Sequence, residues 1–356
     1  MFKVKGIVTH YRPHIDETCA IWLLRKLGEK EFHGIREAKV QFADAGDRTP
    51  NGRPWQEWHD QGYILIGIGG GRFDEHANQK SARKKEHCAT SLVAKALGID
   101  DDPVFKPIIE AVVENDLRGS GSLLDLGAIS NMLHAHCDDA EQVMRWVTFG
   151  LEAIYQRQVQ YWTTTKTEYE RSAQVEEIKW SGGRKFNIVT LQSDDEQVLR
   201  YARSKHGANA GIVIQKKSTG HVQIHTSPYH GLFLYDVAKL LRIEEQKAGG
   251  KEPLRVLDPR VLASEGTLQE IPEWFFHVGM QKLMNGSLTA KNVPPTKMPL
   301  SWIQNLIRIG INPGRFESSR QKECEAGKCT AQAKGCPWYT WQLKRCSEVR
   351  NTRKAS

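Results

Sequence analysis

The chain has 356 residues, of which 39% are hydrophobic and 26% are charged, the composition of a globular protein rather than a disordered one. This length exceeds what one hydrophobic core usually serves, so we expect two domains with a small appendage. No run reaches the roughly 18 apolar residues of a membrane span, and the first ten residues do not resemble a secretory signal. These features predict a cytoplasmic protein without a membrane partner.

The formal net charge of +8 is concentrated at one end of the chain. Residues 313–356 carry ten basic and four acidic side chains, whereas residues 1–312 carry 40 and 38. A basic tail on a near-neutral body is typical of a protein that binds a polyanion. A solvated tail that only aids solubility is the alternative.

The first third of the chain alternates strand and helix patterns. Strands are predicted at residues 4–8, 39–43 and 63–68, and helices at 14–28, 86–97 and 104–114. This rhythm predicts an α/β domain over residues 1–137, with a largely parallel sheet and helices on both faces.

The rest of the chain divides into three predicted parts. Residues 138–180 form a charged helical connector, and residues 181–312 a second, smaller α/β domain. That domain contains strands at 186–191, 211–215 and 221–225 and a helix at 232–243. The Pro-Gly pair at 313 and 314 then begins a basic, cysteine-bearing tail over 313–356.

Side chains that bind metals collect after the predicted strands of the first domain. They are His10, His14 and Asp16 after the first strand, Asp44 after the second, Asp74, Glu75 and His76 after the third, and Asp116 farther along. The carboxyl ends of parallel strands share one edge of a sheet, so these groups can converge there. Mixed imidazole and carboxylate ligands suit Mn²⁺, Fe²⁺ or Zn²⁺. The alternative is that His10, Asp16 and Asp74 cap helices and Asp116 is a turn residue.

Four segments resemble the DHH phosphoesterase superfamily, most closely its melanocyte-proliferating-gene type of exonuclease. Thr9-His-Tyr-Arg-Pro-His-Ile-Asp-Glu-Thr-Cys-Ala20 resembles the first motif, and Gly69-Gly-Gly-Arg-Phe-Asp-Glu-His-Ala-Asn-Gln79 the segment with the signature Asp-His-His. Residues 86–98 resemble the helix that follows, and residues 110–116 the later aspartate motif. The resemblance covers about residues 5–120.

The resemblance implies a metal-dependent phosphodiesterase, an exonuclease or oligonucleotidase that hydrolyses single-stranded DNA, RNA or short oligonucleotides with metal-activated water. The implied ion is Mn²⁺, with Mg²⁺, Fe²⁺ or Zn²⁺ as alternatives. His10, His14 and Asp16 would ligate it, and Asp116 would ligate a second ion. Glu75 stands where the family has a ligating histidine, and His76 would face the substrate and assist proton transfer; Asp16 and His76 are thus the implied catalytic pair.

The chain departs from the family at the end of the third strand. The family has a metal-bridging aspartate there, and this chain has Ile66-Gly-Ile-Gly69, with Asp44 the nearest replacement. Three interpretations stay open: a rearranged two-metal site, a one-metal site, or a degenerate domain that binds nucleic acid without cleaving it. A small-molecule phosphohydrolase acting on a dinucleotide or pyrophosphate is a further alternative.

The resemblance also implies that the second domain holds the far end of the substrate. The candidate residues are Lys216, Lys217, His221, His225, Asn285 and Gly286, with Arg345 from the tail. Glycine turns and lysines suit phosphate groups. An ordinary hairpin with solvated lysines is the alternative.

The tail contains four cysteines, Cys324, Cys329, Cys336 and Cys346. Four thiolates in so short a span can hold Zn²⁺ or an iron–sulfur cluster, and four free thiols are the third interpretation. Trp338, Tyr339 and Trp341 lie among basic residues, which favours stacking on single-stranded nucleic acid or, alternatively, a small aromatic core. The oligomeric state stays open, with a homodimer among the options.

Overall fold

The computed structural model describes residues 3–44, 49–76, 86–119, 121–179, 184–251, 254–256, 258–287, 290, 292–311, 341–343 and 346. The chain divides into two compact units, Met1–Trp162 and Thr163–Ser356. In the described ranges, no helix is long and apolar enough to cross a membrane.

The first unit is built on a parallel sheet, as the alternation of strands and helices predicts. Its strands are β1 (Gly6–His10), β2 (Lys39–Ala43) and β3 (Tyr63–Leu65), and over the described residues they pair in the order β2-β1-β3. The helices are α1 (Ile15–Leu27), α2 (Trp55–Asp60), α3 (Ala89–Leu97), α4 (Lys106–Arg118), α5 (Leu126–His136) and α6 (Ala140–Gln160).

Alternate residues of β1 bury on opposite faces of this sheet. Ile7 belongs to the large core that contains the apolar side chains of α1. Val8 belongs to a second core, against which Trp55 and Trp58 of α2 pack. Because β1 lies between β2 and β3, the chain runs from the carboxyl end of β1 to β2 on one side and later forms β3 on the other side. Ligand sites form at this kind of switch point in parallel sheets.

The second unit contains a mixed sheet. Its strands are β4 (Gln174–Lys179), β5 (Lys185–Gln192), β6 (Ala210–Lys216), β7 (Val222–Thr226), β8 (Gly266–Leu268), β9 (Ile271–His277) and β10 (Lys282–Met284). In the part of the chain that is described, they pair in the order β4-β5-β6-β7-β10-β9-β8. The helices are α7 (Lys166–Ser172), α8 (Gln197–Arg203), α9 (Tyr235–Ala248), α10 (Pro259–Leu262) and α11 (Leu300–Ile311).

Two features of the second unit differ from the sequence-based expectation. The helical pattern expected up to residue 180 ends earlier, because β4 pairs with β5 in antiparallel register. The unit also contains strands that the sequence did not predict: β4 lies in the charged segment assigned to the connector, β8 and β10 have only three residues each, and β9 contains Pro272. The predicted hairpin of β6 and β7 is present, and Lys217 donates its backbone N–H to the carbonyl of His221 at 2.8 Å.

Candidate metal centre

The candidate site lies at the carboxyl edge of the parallel sheet. His10 is the last residue of β1, and the backbone N–H of Ile66, just after β3, donates to the carbonyl of Val8 at 2.9 Å. Helix α1 begins at Ile15, so its first turn lies beside this edge. That turn carries Asp16 and Glu17, where the helix dipole favours negative charge.

His10 and Glu17 form a buried pair at the centre of the site. Nε2 of His10 lies 3.0 Å from Oε1 of Glu17, and Nδ1 lies 2.8 Å from the carbonyl oxygen of Tyr11. Burial opposes protonation of His10, but the hydrogen bond and charge of Glu17 outweigh it and raise its pKa to about 9. A ring that donates Nδ1–H to a carbonyl presents Nε2 in the form that ligates metals.

Glu17 is held by the cap of helix α1. Its Oε2 accepts the backbone N–H of His14 at 2.8 Å in a capping box. Burial opposes its ionisation, but the hydrogen bond and charge of His10, with the charge of His14, keep the pKa of Glu17 below its usual value. The exposed His14 ring packs edge-on against His10 with 5.2 Å between centroids.

Asp16 joins α1 to the start of helix α3. Its carboxylate oxygens accept the backbone N–H groups of Ala89 and Thr90, each at 2.8 Å. The side chain is fully buried, and burial, with the charges of Glu17 and Asp116, raises its pKa to about 7. Asp16 is therefore a cap, as the alternative interpretation held, but for α3 rather than for its own helix.

The segment after β3 brings three further groups to the site. Asp74 is buried and accepts the backbone N–H groups of Gly70 at 2.6 Å and His76 at 2.8 Å. Nδ1 of His76 lies 3.2 Å from both Asp74 Oδ1 and Glu75 Oε1. Asp74 thus shapes the glycine turn and orients His76, whose Nε2 has no hydrogen-bond partner within the described ranges.

Glu75 is a buried acid whose carboxyl group is only partly hydrogen-bonded. It is 3% exposed, and its Oε2 is buried without a hydrogen-bond partner among the described residues. Burial and the charge of Asp16, with further repulsion from Glu17 and Asp74, raise its pKa to about 8. Ionisation of Glu75 among other carboxylates is therefore costly without a cation, and a bound cation would favour the ionised form.

The potential ligand atoms form a connected series. Within each of four groups these atoms lie within 4.8 Å of one another: His10, His14 and Glu17; Asp16, Glu17 and Glu75; Asp16, Cys88 and Asp116; and Asp74, Glu75 and His76. Glu17, Asp16 and Glu75 each belong to two groups. Seven of the eight side chains proposed from the sequence as metal ligands or catalytic groups therefore lie together. The eighth, Asp44, is exposed and belongs to none of these groups of described residues.

The sequence analysis did not assign Glu17 and Cys88 to the site. Glu17 was visible in the sequence as the third residue after His14, the capping-box position, although this spacing does not show which way the second oxygen points. Cys88 is the buried residue that precedes α3, and burial, with the Asp16 carboxylate, raises the pKa of its thiol. A protonated Cys88 is a hydrogen-bond partner for Asp16 rather than a charged ligand.

His134 supports the loop that carries His14. It lies in the last turn of α5, and its Nε2 is 3.0 Å from the carbonyl oxygen of Pro13. The ring is 4% exposed, so this contact fixes the backbone directly before His14.

Several candidate substrate residues of the second unit have structural partners. Asn285 is fully buried, donates to the carbonyls of Glu273 and Pro294 and accepts the N–H of Thr296. Both ring nitrogens of His221 have partners, Thr219 and Val293, and the ring fills the space beside Gly286. Lys217 pairs with Glu196 at 2.8 Å, and Lys216 ends β6.

A positive region surrounds His225 in this unit. His225 pairs in register with Lys282 across β7 and β10, and Arg203 donates to the carbonyl of the next residue, Thr226, at 3.1 Å. Burial, then the charges of Lys282, Arg203 and Lys217, lower the pKa of His225 to about 3. Burial and Arg203 also lower the pKa of Lys282, which pairs with no acid among the described residues.

Most of the cysteine tail is outside the described residues, including Cys324, Cys329, Cys336 and Arg345. Cys346 is buried in the core of the second unit with Leu343. The proposed zinc or iron–sulfur site of the tail stays a prediction.

The donor set fits a divalent cation of intermediate hardness. It combines imidazole nitrogens of His10 and His14 with carboxylates of Asp16, Glu17 and Glu75, and Glu75 Oε2 lacks a protein partner. No protein-family model matches this chain, and no curated protein matches its sequence.

Proposed function

We propose that the first unit binds Mn²⁺ or a similar cation and that the protein is a phosphodiesterase of the DHH type. The substrate class is single-stranded nucleic acid or a short oligonucleotide. The observation that carries the proposal is the buried, unpartnered Oε2 of Glu75 within ligand distance of Asp16 and Glu17. Like charges converge here at a sheet edge where parallel-sheet proteins bind ligands, which supports a cation rather than a structural core.

The side chains of the candidate site have different proposed roles in binding the cation. His10, His14, Asp16, Glu17 and Glu75 would hold the cation, with Asp116 beside Asp16. When bound, such an ion activates water and neutralises charge that develops on the phosphate. The backbone N–H groups of Ala89 and Thr90 hold Asp16, and the carbonyl of Tyr11 holds the His10 ring, so these ligands are preorganised.

His76 is the proposed proton donor to the leaving oxygen. Its side chain is 36% exposed, which leaves it accessible to a substrate. Asp74 and Glu75 both contact Nδ1, so Nδ1 can carry a proton and Nε2 can exchange one with the substrate.

We propose that the positive region of the second unit binds phosphate groups. Lys282 and Arg203 are the residues we propose for this role, in addition to Lys217 and the tail residue Arg345. Burial and the charge of Arg203 lower the pKa of Lys282, and a bound anion would favour its charged form.

The test is Mn²⁺-dependent cleavage of end-labelled single-stranded RNA and DNA. We expect cleavage by the wild type, abolished by EDTA and by Asp16→Asn, which removes the charge at nearly constant volume. Asp44→Asn is the matched control, because Asp44 is an exposed carboxylate outside the described ligand groups, and it should keep activity.

Two other outcomes would replace the proposal. Binding of the labelled strands without any cleavage would indicate a degenerate, nucleic-acid-binding domain. Cleavage of a dinucleotide or of pyrophosphate, with no action on longer strands, would indicate a small-molecule phosphohydrolase.

A further inference from the structure

Glu17 occupies space that a side chain on Gly67 would need. A Cβ atom built on Gly67 would lie 2.8 Å from both Cγ and Oε1 of Glu17. Cβ atoms in proteins do not make contacts this short, so any other residue at position 67 must displace the carboxylate. Gly67 also has φ of +63°, a conformation that disfavours most side chains.

The carboxylate of Glu17 cannot easily move aside. It is almost fully buried, its Oε2 accepts the N–H of His14 at 2.8 Å, and its Oε1 lies 3.0 Å from Nε2 of His10. The cap of α1 therefore fixes one oxygen, and the histidine fixes the other. Gly67 leaves the room for this arrangement, just after β3 and directly at the sheet edge.

Glu17 also joins two ligand groups. It lies with His10 and His14 in one group, and with Asp16 and Glu75 in another. A carboxylate has two oxygens and can bind one cation with each. Of these residues, Glu17 alone lies in both the histidine-rich group and the group of carboxylates.

We propose that Glu17 is the shared ligand of two divalent cations, and that Gly67 is required because its missing side chain makes room for that carboxylate. This inference rests on the proposed metal-dependent function. One cation would lie among His10, His14 and Glu17, and the other among Asp16, Glu17 and Glu75. Removing the shared carboxylate should therefore abolish the magnetic exchange coupling between the two ions and weaken their binding.

A purely structural role for Glu17 makes a different prediction. A helix cap needs only one acceptor oxygen, which glutamine also provides. Glu17→Gln would then keep the fold and bind Mn²⁺ as the wild type does. The proposed role requires that Glu17→Gln keep the fold but lose the shared site.

The experiment is a Mn²⁺ titration of the full chain followed by electron paramagnetic resonance. For the wild type we expect two bound Mn²⁺ with an exchange-coupled spectrum, since ions that share a carboxylate lie roughly 4 Å apart. Glu17→Gln and Gly67→Ala should each lose the coupling and weaken binding of the second ion at least tenfold. Asp44→Asn is the control and should keep both properties.

A compensating pair of substitutions makes the test sharper. Gly67→Asp combined with Glu17→Ala moves a carboxylate from the helix to the strand end and removes the collision. Aspartate is among the residues that tolerate positive φ, so we expect this double variant to recover part of the coupling. Circular dichroism shows which variants are folded, and only the folded variants are compared with the wild type.

The outcomes separate this inference from the proposed function. No Mn²⁺ binding by the wild type overturns both. One bound Mn²⁺, or a coupled pair that persists in folded Glu17→Gln and Gly67→Ala, overturns the shared-ligand role and leaves the metal site in place.

Discussion

Thr90 donates two hydrogen bonds to Asp16, although the two residues are 74 positions apart in the chain. The Thr90 N–H donates to Oδ1 of Asp16, and the Thr90 hydroxyl donates to the backbone carbonyl of Asp16, at 2.8 and 2.7 Å. Both residues are fully buried. This contact anchors the candidate ligand Asp16 to α3 independently of any cation.

Thr90→Val should destabilise the fold while leaving metal binding almost unchanged. The substitution removes the hydroxyl donor and with it the additional hydrogen bond that the helical carbonyl of Asp16 accepts, which costs about 0.5–1.5 kcal/mol. The carboxylate keeps both of its backbone N–H partners, so its Mn²⁺ affinity should change less than threefold. Urea unfolding and calorimetric Mn²⁺ titration measure the two quantities. Thr267→Val, on the exposed edge strand β8, should change stability by less than about 0.5 kcal/mol.

Glu75→Gln should stabilise the metal-free protein and weaken its response to metal. The substitution removes a buried carboxylate whose charge is opposed by Asp16 and Glu17. We therefore expect a higher Tm in EDTA than the wild type and a smaller rise in Tm on adding Mn²⁺. The same Mn²⁺-dependent rise in both proteins would remove Glu75 from the ligand set. Thermal unfolding with and without Mn²⁺ provides the measurement.

Lys282→Met should weaken substrate binding more than it slows turnover. Lys282 is not part of the candidate metal centre and would contact a phosphate of the substrate, so we expect KM to rise about tenfold, equivalent to about 1.4 kcal/mol. The effect of Lys282→Met on KM should shrink at high salt, because salt screens the contacts between lysine and phosphate. Lys185→Met removes a lysine from strand β5 that already pairs with Glu177, and should leave KM unchanged. Equal KM values for the two variants would show that the positive region around His225 does not bind the substrate.

His225 should make the protein less stable as the pH falls below about 6.5. Its pKa is lowered to about 3 in the folded protein, so the unfolded chain binds a proton between these values and the folded chain does not. Stability is therefore full above the unfolded pKa and declines toward acid by up to about 1.4 kcal/mol per pH unit.

Urea unfolding of wild type and His225→Gln between pH 7 and about 4.5 tests this dependence. The variant should show a shallower loss of stability with falling pH. His230→Gln, at a half-buried histidine of the same unit, should retain the slope of the wild type. Parallel slopes for wild type and His225→Gln would contradict the assignment of a neutral, buried His225.

The elements of the first unit were predictable because their signals are local. Apolar residues at helical spacing mark α1, and the alternation of polar and apolar residues marks β2, whose bounds of 39–43 match the prediction. The hairpin of β6 and β7 follows from a glycine turn between two apolar runs. The strands β8 to β10 were missed, because β8 and β10 have only three residues each and β9 contains Pro272 in an irregular order of polar and apolar residues.

The sequence by itself determined that His10, His14 and Asp16 would lie near one another, because they follow one strand and open one helix. Only the tertiary structure decided which distant groups join them. It brings in Glu75, His76 and Asp116 and leaves Asp44 exposed, although all four were equal candidates in the chain. It also shows Glu17 beside Gly67, a contact set by the packing of α1 against the end of β3. The physical reason is that strand and helix periods report which face of an element is buried. They carry no information on which side chains from distant elements share the space at a sheet edge.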